Sequence, residues 1–265
     1  MSVSVVLPVR NGARYLREAL DSVLAQTAAE LEFVVVDDGS TDDTPEILGS
    51  YRDERLRVIR QEPAGLVAAL TRAVGAARGD VLARMDADDV SLPKRLERQV
   101  ALLGSDDRIG LVGCGIESID ETGRTLDSWR LPGDDGSLRR RLLLRNPFAH
   151  GSVVVRRRAL EEAGGYRSDY GANEDYDLWR RIARGWRLAA VPDVLYRYRD
   201  HGEGVTKADV GERVGSRERL RDELWRDPAL LRALRGERDR SEHRALVHEA
   251  LRRRRYVAAL RATLP

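Results

Sequence analysis

Cysteine is almost absent: the 265 residues include one, Cys114. A single thiol cannot form an internal disulfide or a cysteine metal cluster, so the sequence excludes both kinds of site. The nearby residues Leu111, Val112 and Ile116 are apolar, which favours a buried structural thiol over a reactive one.

Long apolar runs are also missing. No run reaches the roughly 18 residues that a helix needs to cross a bilayer. The N-terminal stretch Met1–Pro8 has no basic segment ahead of its apolar residues, so it is not predicted to be a signal peptide. We therefore expect a cytoplasmic protein. With 42% apolar and 34% charged residues, the chain fits one large α/β domain with or without an appendage.

Charge is balanced overall but uneven along the chain. The net charge is +2, yet residues 205–265 hold 16 Lys and Arg against 10 Asp and Glu. A basic C-terminal region could touch an anionic membrane surface. Interleaved acidic residues favour a solvated helical face instead. Nucleic-acid binding is not expected, because the region lacks the interleaved aromatic residues of a single-strand binder.

The first hundred residues alternate between apolar strands and helical periodicity. This alternation predicts an α/β fold with a mostly parallel central sheet flanked by helices. Ligands of such sheets bind beyond the carboxyl ends of the strands. The predicted strands are Val3–Leu7, Glu32–Val36, Leu56–Ile59 and Val81–Met85, and the predicted helices are Leu16–Leu24, one starting at Asp43 or Thr44, Leu66–Ala77 and Pro93–Leu103.

The pattern is less regular after Gly104. We expect a strand at Ile109–Gly113, another at Ser152–Val155 and a helix at Asp175–Ala183, with residues 120–136 polar and rich in turns. The last sixty residues have helical periodicity, and their candidate buried positions are Leu220, Leu224, Leu230, Leu231, Leu234, Leu246, Val247, Leu251 and Leu260. The predicted organisation is a catalytic domain over residues 1–204 followed by a basic helical region over residues 205–265.

Three acidic side chains follow the fourth predicted strand, at Asp86, Asp88 and Asp89. Clustered carboxylates repel one another unless a cation, water or basic groups compensate them. Oxygen ligands of this kind suit Mg²⁺ or Mn²⁺ bridging to substrate phosphates. The alternative is a turn that caps the next helix, a role that Asp89 in particular could fill.

Two further acidic clusters occur at predicted strand or helix ends. Asp37 and Asp38, before Gly39-Ser40, could accept hydrogen bonds from a nucleobase or a ribose, or simply form a turn. Glu174, Asp175 and Asp177 could complement a helix dipole. Next to a metal-diphosphate site, one of them could instead act as a general base.

Taken in this order and spacing, the clusters resemble the family 2 glycosyltransferases of the GT-A fold. The resemblance runs from Ser2 to about His201. It is carried by Val5-Val6-Leu7-Pro8-Val9-Arg10-Asn11-Gly12, Val34-Val35-Val36-Asp37-Asp38-Gly39-Ser40-Thr41-Asp42, Ala83-Arg84-Met85-Asp86-Ala87-Asp88-Asp89, Gly164-Gly165-Tyr166 and Glu174-Asp175-Tyr176-Asp177-Leu178-Trp179.

The resemblance implies roles for the matching positions. Asp175 matches the catalytic base. Asp88 is the expected direct metal ligand, Asp86 a metal or ribose ligand, and His201 a third candidate ligand. The expected nucleotide contacts are Pro8, Arg10, Asn11, Asp37, Asp38, Arg84, Asp86, Ala87 and Arg199.

Two positions depart from the family pattern, and one histidine stands apart from it. Arg10 occupies a position where an aromatic residue is common, and Thr71 one where Asn is frequent, which bears on the nucleotide contacts. His150 could line the acceptor side or be structural. Trp179 and Trp186 are expected to pack in the core.

The implied reaction is a single displacement with inversion, using Mn²⁺ or Mg²⁺. The donor would be a nucleotide diphosphate sugar, UDP being the commonest nucleotide and dTDP and GDP staying open. The acceptor would be a saccharide or a lipid-linked molecule. The oligomeric state is not readable from the sequence.

Three other functions agree less well with these motifs. A sugar-nucleotide-forming nucleotidyltransferase would need a Gly-rich basic loop after the first strand, where one glycine stands. An oxidoreductase would need a complete dinucleotide-binding fingerprint, whereas Gly113-Cys114-Gly115 lacks the third glycine. A non-catalytic sugar-nucleotide-binding scaffold would have no need for a base.

Overall fold

The computed structural model describes residues 1–28, 30–201, 210–231 and 240–252. Its strands are β1 Val3–Val9, β2 Leu31–Asp38, β3 Leu56–Gln61, β4 Val81–Arg84, β5 Val90–Ser91, β6 Ile109–Ile119, β7 Thr125–Trp129, β8 Val154–Arg156 and β9 Arg187–Arg199. Its helices are α1 Ala13–Leu24, α2 Thr44–Ser50, α3 Leu66–Ala76, α4 Arg95–Gly104, α5 Asp135–Leu144, α6 Arg157–Glu162, α7 Glu174–Gly185, α8 Val210–Leu224, α9 Pro228–Leu231 and α10 Arg240–Arg252. Short 3-10 turns form at His150–Ser152 and Gly171–Asn173.

One sheet organises the molecule, in the order β3-β2-β1-β4-β8-β6-β9-β5, with β7 added beside β6. The first four strands in this order are parallel, as predicted. Beyond β4 the sheet is mixed, because β8 runs antiparallel to both β4 and β6 while β6 and β9 are parallel. The fold class predicted from the sequence is confirmed, and the parallel character is concentrated in the N-terminal half.

Both faces of the sheet are buried, which explains why β1 reads as a continuous apolar run. In β2, Phe33 and Val35 belong to one apolar cluster, whereas Val34 and Val36 belong to the other. Helices α1 and α4 cover the first face, and α3, α5, α6 and α7 cover the second. Because β1, β2, β3 and β4 are parallel, their carboxyl ends meet at one edge of the sheet.

Several elements in the second half were not predicted. Strand β6 extends to Ile119, strand β7 lies in the segment expected to be turns, and the whole of β9 was missed. In strand β9, Pro192 and Asp193 separate a short apolar run, Leu188–Val191, from a short alternating stretch, Tyr196–Arg199. Neither stretch predicts a thirteen-residue strand, and the strand pairs with β6 through register shifts.

The described C-terminal helices pack against the sheet domain. Leu220, Leu224, Leu230 and Leu246 are fully buried, as predicted, in the same apolar cluster as Leu142 of α5. The predicted domain boundary at residues 204 and 205, and the candidate core positions Leu234 and Leu260, lie outside the described residues. Within the part of the chain that the structure describes, no helix is both long and apolar enough to span a membrane.

The shared core generates a stability prediction. Replacing fully buried Leu224 by Ala should lower the free energy of unfolding by about 2–5 kcal/mol. Chemical denaturation should show one transition, because the helix and the sheet share one core. Val214→Ala on the same helix, at a 49% exposed position, is the matched control and should change stability by less than about 0.5 kcal/mol. An unchanged Leu224→Ala protein, or a separate early transition, would contradict the shared core.

Candidate active site

The loops after β1 and β2 are hydrogen-bonded into one unit. The backbone N–H of Asn11 donates to Ser40 Oγ at 2.9 Å, and the Thr41 N–H donates to Asn11 Oδ1 at 2.8 Å. Asn11 has φ 53°, a left-handed conformation that Asn tolerates better than most residues. The predicted nucleotide contacts at Asn11 and at Asp37-Asp38 are thus brought together.

The β1 loop also touches the acidic loop after β4. A Cβ added at Gly12 would lie 2.6 Å from Val9 Cγ2 and 3.4 Å from Ala87 Cβ. Glycine at position 12 avoids the clash with Val9 and lets the loop pack beside Ala87. Pro8 is buried at the end of β1, whereas Arg10 is exposed beyond it.

Asp38 is buried and holds the loop that follows β3. Its carboxylate accepts hydrogen bonds from Gln61 Nε2 at 2.7 Å and from the N–H groups of Ala64 and Gly65 at 2.8 Å each. Burial raises the pKa of Asp38, but these bonds and the charge of Arg10 outweigh it and keep the pKa below its usual value. Asp38 is therefore a fixed carboxylate at the edge of the sheet, and its contact with a nucleobase stays a prediction.

Asp37 is buried as well and shapes its own turn. Its Oδ1 accepts the Ser40 N–H at 2.9 Å, and its Oδ2 lies 3.5 Å from Arg60 Nε. The motif therefore forms a turn at Asp37 and holds a fixed carboxylate at Asp38. The turn interpretation and the ligand-contact interpretation are compatible.

The three acids of the loop after β4 have three different partners. Asp86 forms an ion pair with the buried Arg84. Asp88 is about one-third exposed, and its Oδ2 lies 2.9 Å from His201 Nε2. Asp89 is buried.

Asp89 does not cap a helix, contrary to the sequence interpretation. Helix α4 begins at Arg95, six residues later, whereas Asp89 Oδ2 accepts the Tyr196 hydroxyl and Oδ1 accepts the Arg199 N–H, both at 2.7 Å. Burial and the charges of Asp86 and Asp88 raise the pKa of Asp89 well above its usual value. Asp89 joins the acidic loop to the end of β9.

Arg199 supports the acidic loop through the backbone of that loop. Its side chain is 2% exposed; Nε donates to the Asp88 carbonyl at 2.8 Å, and Nη2 pairs with Glu18. The guanidinium also stacks over Tyr15, 4.4 Å from the ring centroid. These donors point to protein groups, so the structure gives Arg199 a supporting role, and the expected contact with a diphosphate stays a prediction.

Asp88 and His201 fit a divalent cation shared with a diphosphate. Carboxylate and imidazole are both ligands of Mn²⁺, and cations at nucleotide sites take one or two protein ligands plus phosphate oxygens and water. Asp86 turns toward Arg84, so it does not complete a set with them. No group of three or more His, Cys, Asp or Glu among the described residues is arranged as a protein-only metal site.

Asp175 stands in the first turn of α7 and is partly buried. Its Oδ2 accepts a hydrogen bond from Asn146 Nδ2 at 2.6 Å. Burial raises the pKa of Asp175 to about 6, and the nearby Glu174 adds to the rise. The hydrogen bonds from the Tyr176 N–H and from Asn146 oppose it, as does the charge of His150 when that ring is protonated. A carboxylate with this pKa is ionised at neutral pH yet more basic than an exposed Asp, as a general base needs to be.

His150 lies beside the first turn of α7. Its Nε2 lies 2.9 Å from the Tyr166 hydroxyl, and its Nδ1 lies 3.4 Å from Glu174 Oε1. Burial, reinforced by the charge of Arg84, lowers the pKa of His150 to about 4, so the ring is neutral at physiological pH. The charges of Asp175 and Asp86 oppose this shift. A Cβ at the next residue, Gly151, would lie 2.5 Å from Asp86 Oδ2, so the turn that contains His150 packs against the acidic loop.

The remaining acid of the third cluster is structural. Asp177 is fully buried and forms ion pairs with Arg180 at 2.9 Å and Arg181 at 2.7 Å. Trp179 is fully buried, which confirms its predicted place in the core. The sequence interpretation missed Asn146 and Tyr196; an Asn before Pro147 reads as a turn, and a tyrosine inside an unpredicted strand gives no signal.

Comparison with known proteins identifies the family. Residues 4–164 match the family model described as Glycosyl transferase family 2. The O-antigen biosynthesis glycosyltransferase WbnJ of Escherichia coli is 31% identical over 214 residues, which cover 78% of this chain and 82% of WbnJ. Curated relatives differ in length, and the matched part spans between 31% and 82% of them.

Solved structures share the fold. TarS of S. aureus in complex with UDP-GlcNAc superposes with a TM-score of 0.69 at 22% identity, covering 96% of this chain and 72% of that one. The mannosyltransferase PcManGT from Pyrobaculum calidifontis, in complex with GDP-Man and Mn²⁺, gives 0.63 at 24% identity, with 98% and 72% covered. With its GT-A-like fold and a family match over more than half of its length, the chain belongs to the family 2 glycosyltransferases.

Proposed function

We propose that this chain is an inverting, metal-dependent glycosyltransferase that moves a sugar from a nucleotide diphosphate sugar to an acceptor hydroxyl. The proposal is carried by the Asp175 carboxylate, whose pKa is about 6, and by the packing beside it: Glu174 contacts His150, and the next residue, Gly151, packs against Asp86 of the acidic loop. A UDP-sugar is the first candidate donor. TarS, which binds UDP-GlcNAc, and PcManGT, which binds GDP-Man and Mn²⁺, support a nucleotide sugar and a divalent cation.

The residues would share the reaction as follows. Asp38 and the Asn11–Ser40 loop pair would hold the nucleoside, with Asp37, Arg10, Pro8 and Ala87 around it. A cation held by Asp88 and His201 would neutralise charge on the departing diphosphate, with Asp86 at its ribose side. Asp175 would accept the proton of the acceptor hydroxyl, and that oxygen would attack the anomeric carbon opposite the leaving diphosphate, which inverts the configuration.

The biological setting is also a proposal. WbnJ is named for O-antigen biosynthesis, which supports synthesis of a cell-surface polysaccharide or glycoconjugate on a saccharide or lipid-linked acceptor. We propose a cytoplasmic protein, with the basic C-terminal region as the part that would contact a membrane.

A donor panel tests the proposed activity. The chain with Mn²⁺ and UDP-, dTDP- and GDP-sugars should release nucleoside diphosphate from at least one donor, and more of it when acceptor saccharides are added. Calorimetric titration of the same donors is the parallel measurement. Binding of a donor with no release under any condition would favour the scaffold function instead.

Replacing Asp175 by Asn should reduce kcat by about 10²–10⁴-fold, the contribution expected of a general base. Donor binding should stay within about twofold, because the change leaves the β1, β2 and β4 loops intact. The acidic limb of the wild-type pH–rate profile should follow the pKa of Asp175, which is about 6. Below that pH the rate should fall about tenfold per pH unit, because protonation removes the base, and above it the rate should no longer change with this group. Asn146→Ala should move that limb to higher pH, because the lost hydrogen bond favours the ionised form.

The matched control is Asp169→Asn, which alters an exposed acid of the preceding loop and should leave rate and pH profile unchanged. Wild-type transfer rates in Asp175→Asn would remove Asp175 from the base role.

Replacing Asp88 by Asn tests the metal site. Asp88 is about one-third exposed, so stability should change by less than about 0.5 kcal/mol. Mn²⁺ affinity in the presence of nucleoside diphosphate, measured by calorimetry, should fall by at least the ~10–100-fold that the loss of a ligand-supporting group causes. Asp107→Asn, at a fully exposed side chain, is the control. Equal Mn²⁺ affinity in Asp88→Asn and wild type would contradict the assignment.

A further inference from the structure

The Asp175 carboxylate is fixed between two segments of the chain. One is the end of α5 with the loop after it, which supplies Asn146 as the donor to Oδ2 at 2.6 Å. The other is the 3-10 turn ending at Asn173, which leads directly into the first turn of α7. The position of the carboxylate therefore depends on how these two segments are held.

Both segments rest on the C-terminal helices. Asn173 Nδ2 donates to Ser216 Oγ of α8 at 2.8 Å. The indole Nε1 of Trp225, just after α8, donates to the Leu143 carbonyl at 3.0 Å, three residues before Asn146. One element thus reaches the chain immediately before the base and immediately before its hydrogen-bond donor.

These hydrogen bonds are buried from solvent. Ser216 and Trp225 are each 1% exposed and Asn173 is 5% exposed, so water cannot readily replace a lost partner. A further residue of α8, Glu223, contacts the same region. Glu223 accepts the Tyr170 hydroxyl at 2.6 Å and pairs with Arg180.

We propose that the C-terminal helices position the catalytic base. Ser216 and Trp225 are positioning residues that hold the Asn173–Asp175 and Leu143–Asn146 segments at the spacing the Asn146–Asp175 hydrogen bond requires. This inference rests on the proposed function, because it takes Asp175 as the base. It gives Ser216 and Trp225, which lie outside the sheet domain, a positioning role in the reaction.

The electrostatic surroundings of Asp175 predict how a positioning defect would appear. The titratable groups that face it are His150 and Tyr166 from the preceding segments and Glu174 on its own helix. Two neutral donors favour the ionised form: the Tyr176 N–H, which lies on the same helix, and Asn146, which comes from the other segment. If the two segments separate, this donor is lost while Glu174 stays, so the acidic limb of the pH–rate profile moves to higher pH.

The experiment uses the full chain and two substitutions that keep the core filled. Trp225→Phe removes the indole N–H, and Ser216→Ala removes the hydroxyl. Each should lower kcat by about tenfold, within the ~10²-fold loss that a misplacement of about 1 Å can cause. Donor affinity should stay within about twofold, and the acidic limb should move upward. Arg219→Ala, on an exposed position of α8, is the control and should behave as wild type.

A double-mutant comparison separates positioning from general damage. In an Asp175→Asn background no base remains to be positioned, so Ser216→Ala should cause no further loss of the residual rate. A substitution that merely damaged the fold would lower the rate by the same factor in both backgrounds. If Trp225→Phe yields no folded protein, the Ser216→Ala pair of measurements still decides the question.

The outcomes distinguish this inference from the proposed function. Wild-type kcat and pH profile in both variants, or equal losses in both backgrounds, would overturn the positioning role even though Asp175→Asn is inactive. An Asp175→Asn protein with wild-type transfer would instead overturn the base assignment on which the positioning role depends.

Discussion

The buried carboxyl of Asp89 holds the two halves of the site together. It accepts the Tyr196 hydroxyl and the Arg199 N–H from the end of β9, and it sits in the same loop as the two acids that face the site. A buried carboxyl is costly without such donors. Because both donors come from β9, the acidic loop and the end of that strand are fixed together. His201, two residues after Arg199, thereby comes within 2.9 Å of Asp88.

The same arrangement resolves the repulsion among three neighbouring acids. Asp86 pairs with the buried cation Arg84, and the buried Asp89 accepts hydrogen bonds from the Tyr196 hydroxyl and the Arg199 N–H. Asp88, the most exposed of the three, lies beside the His201 imidazole. Three different kinds of compensation let three carboxyl groups share four residues, and Asp88 is the one left able to receive a cation from solvent.

The N-terminal half of the fold was predictable because its signals are local. Strands β1, β2 and β4 are buried on both faces and read as apolar runs, and the buried residues of α1 recur at helical spacing. Strand β9 was not predictable, since Pro192 and charged residues such as Arg187 and Arg197 interrupt its pattern, and its pairing with β6 supplies what the sequence does not show.

The residues of the site were likewise predictable only where their signals are local. The acidic clusters could be found from their positions after predicted strands, and the family pattern added His201. The role of Asp89 could not be found, because its donors lie 107 and 110 residues further along the chain. A helix cap is the nearest local explanation for an Asp before a helix, and the long-range contact overrode it. Asn146 was missed for a similar reason, since its partner Asp175 is 29 residues away.

The basicity of Asp175 is a balance that depends on the charge state of His150. A protonated His150 would stabilise the adjacent carboxylate and lower its proton affinity, weakening it as a base. Burial and the charge of Arg84 instead keep the ring neutral, with a pKa of about 4, so over the working pH range the ring orients its neighbours without adding a positive charge. Arg84 therefore acts on both sides of the site: it compensates Asp86 directly, and its charge adds to the effect of burial in lowering the pKa of His150.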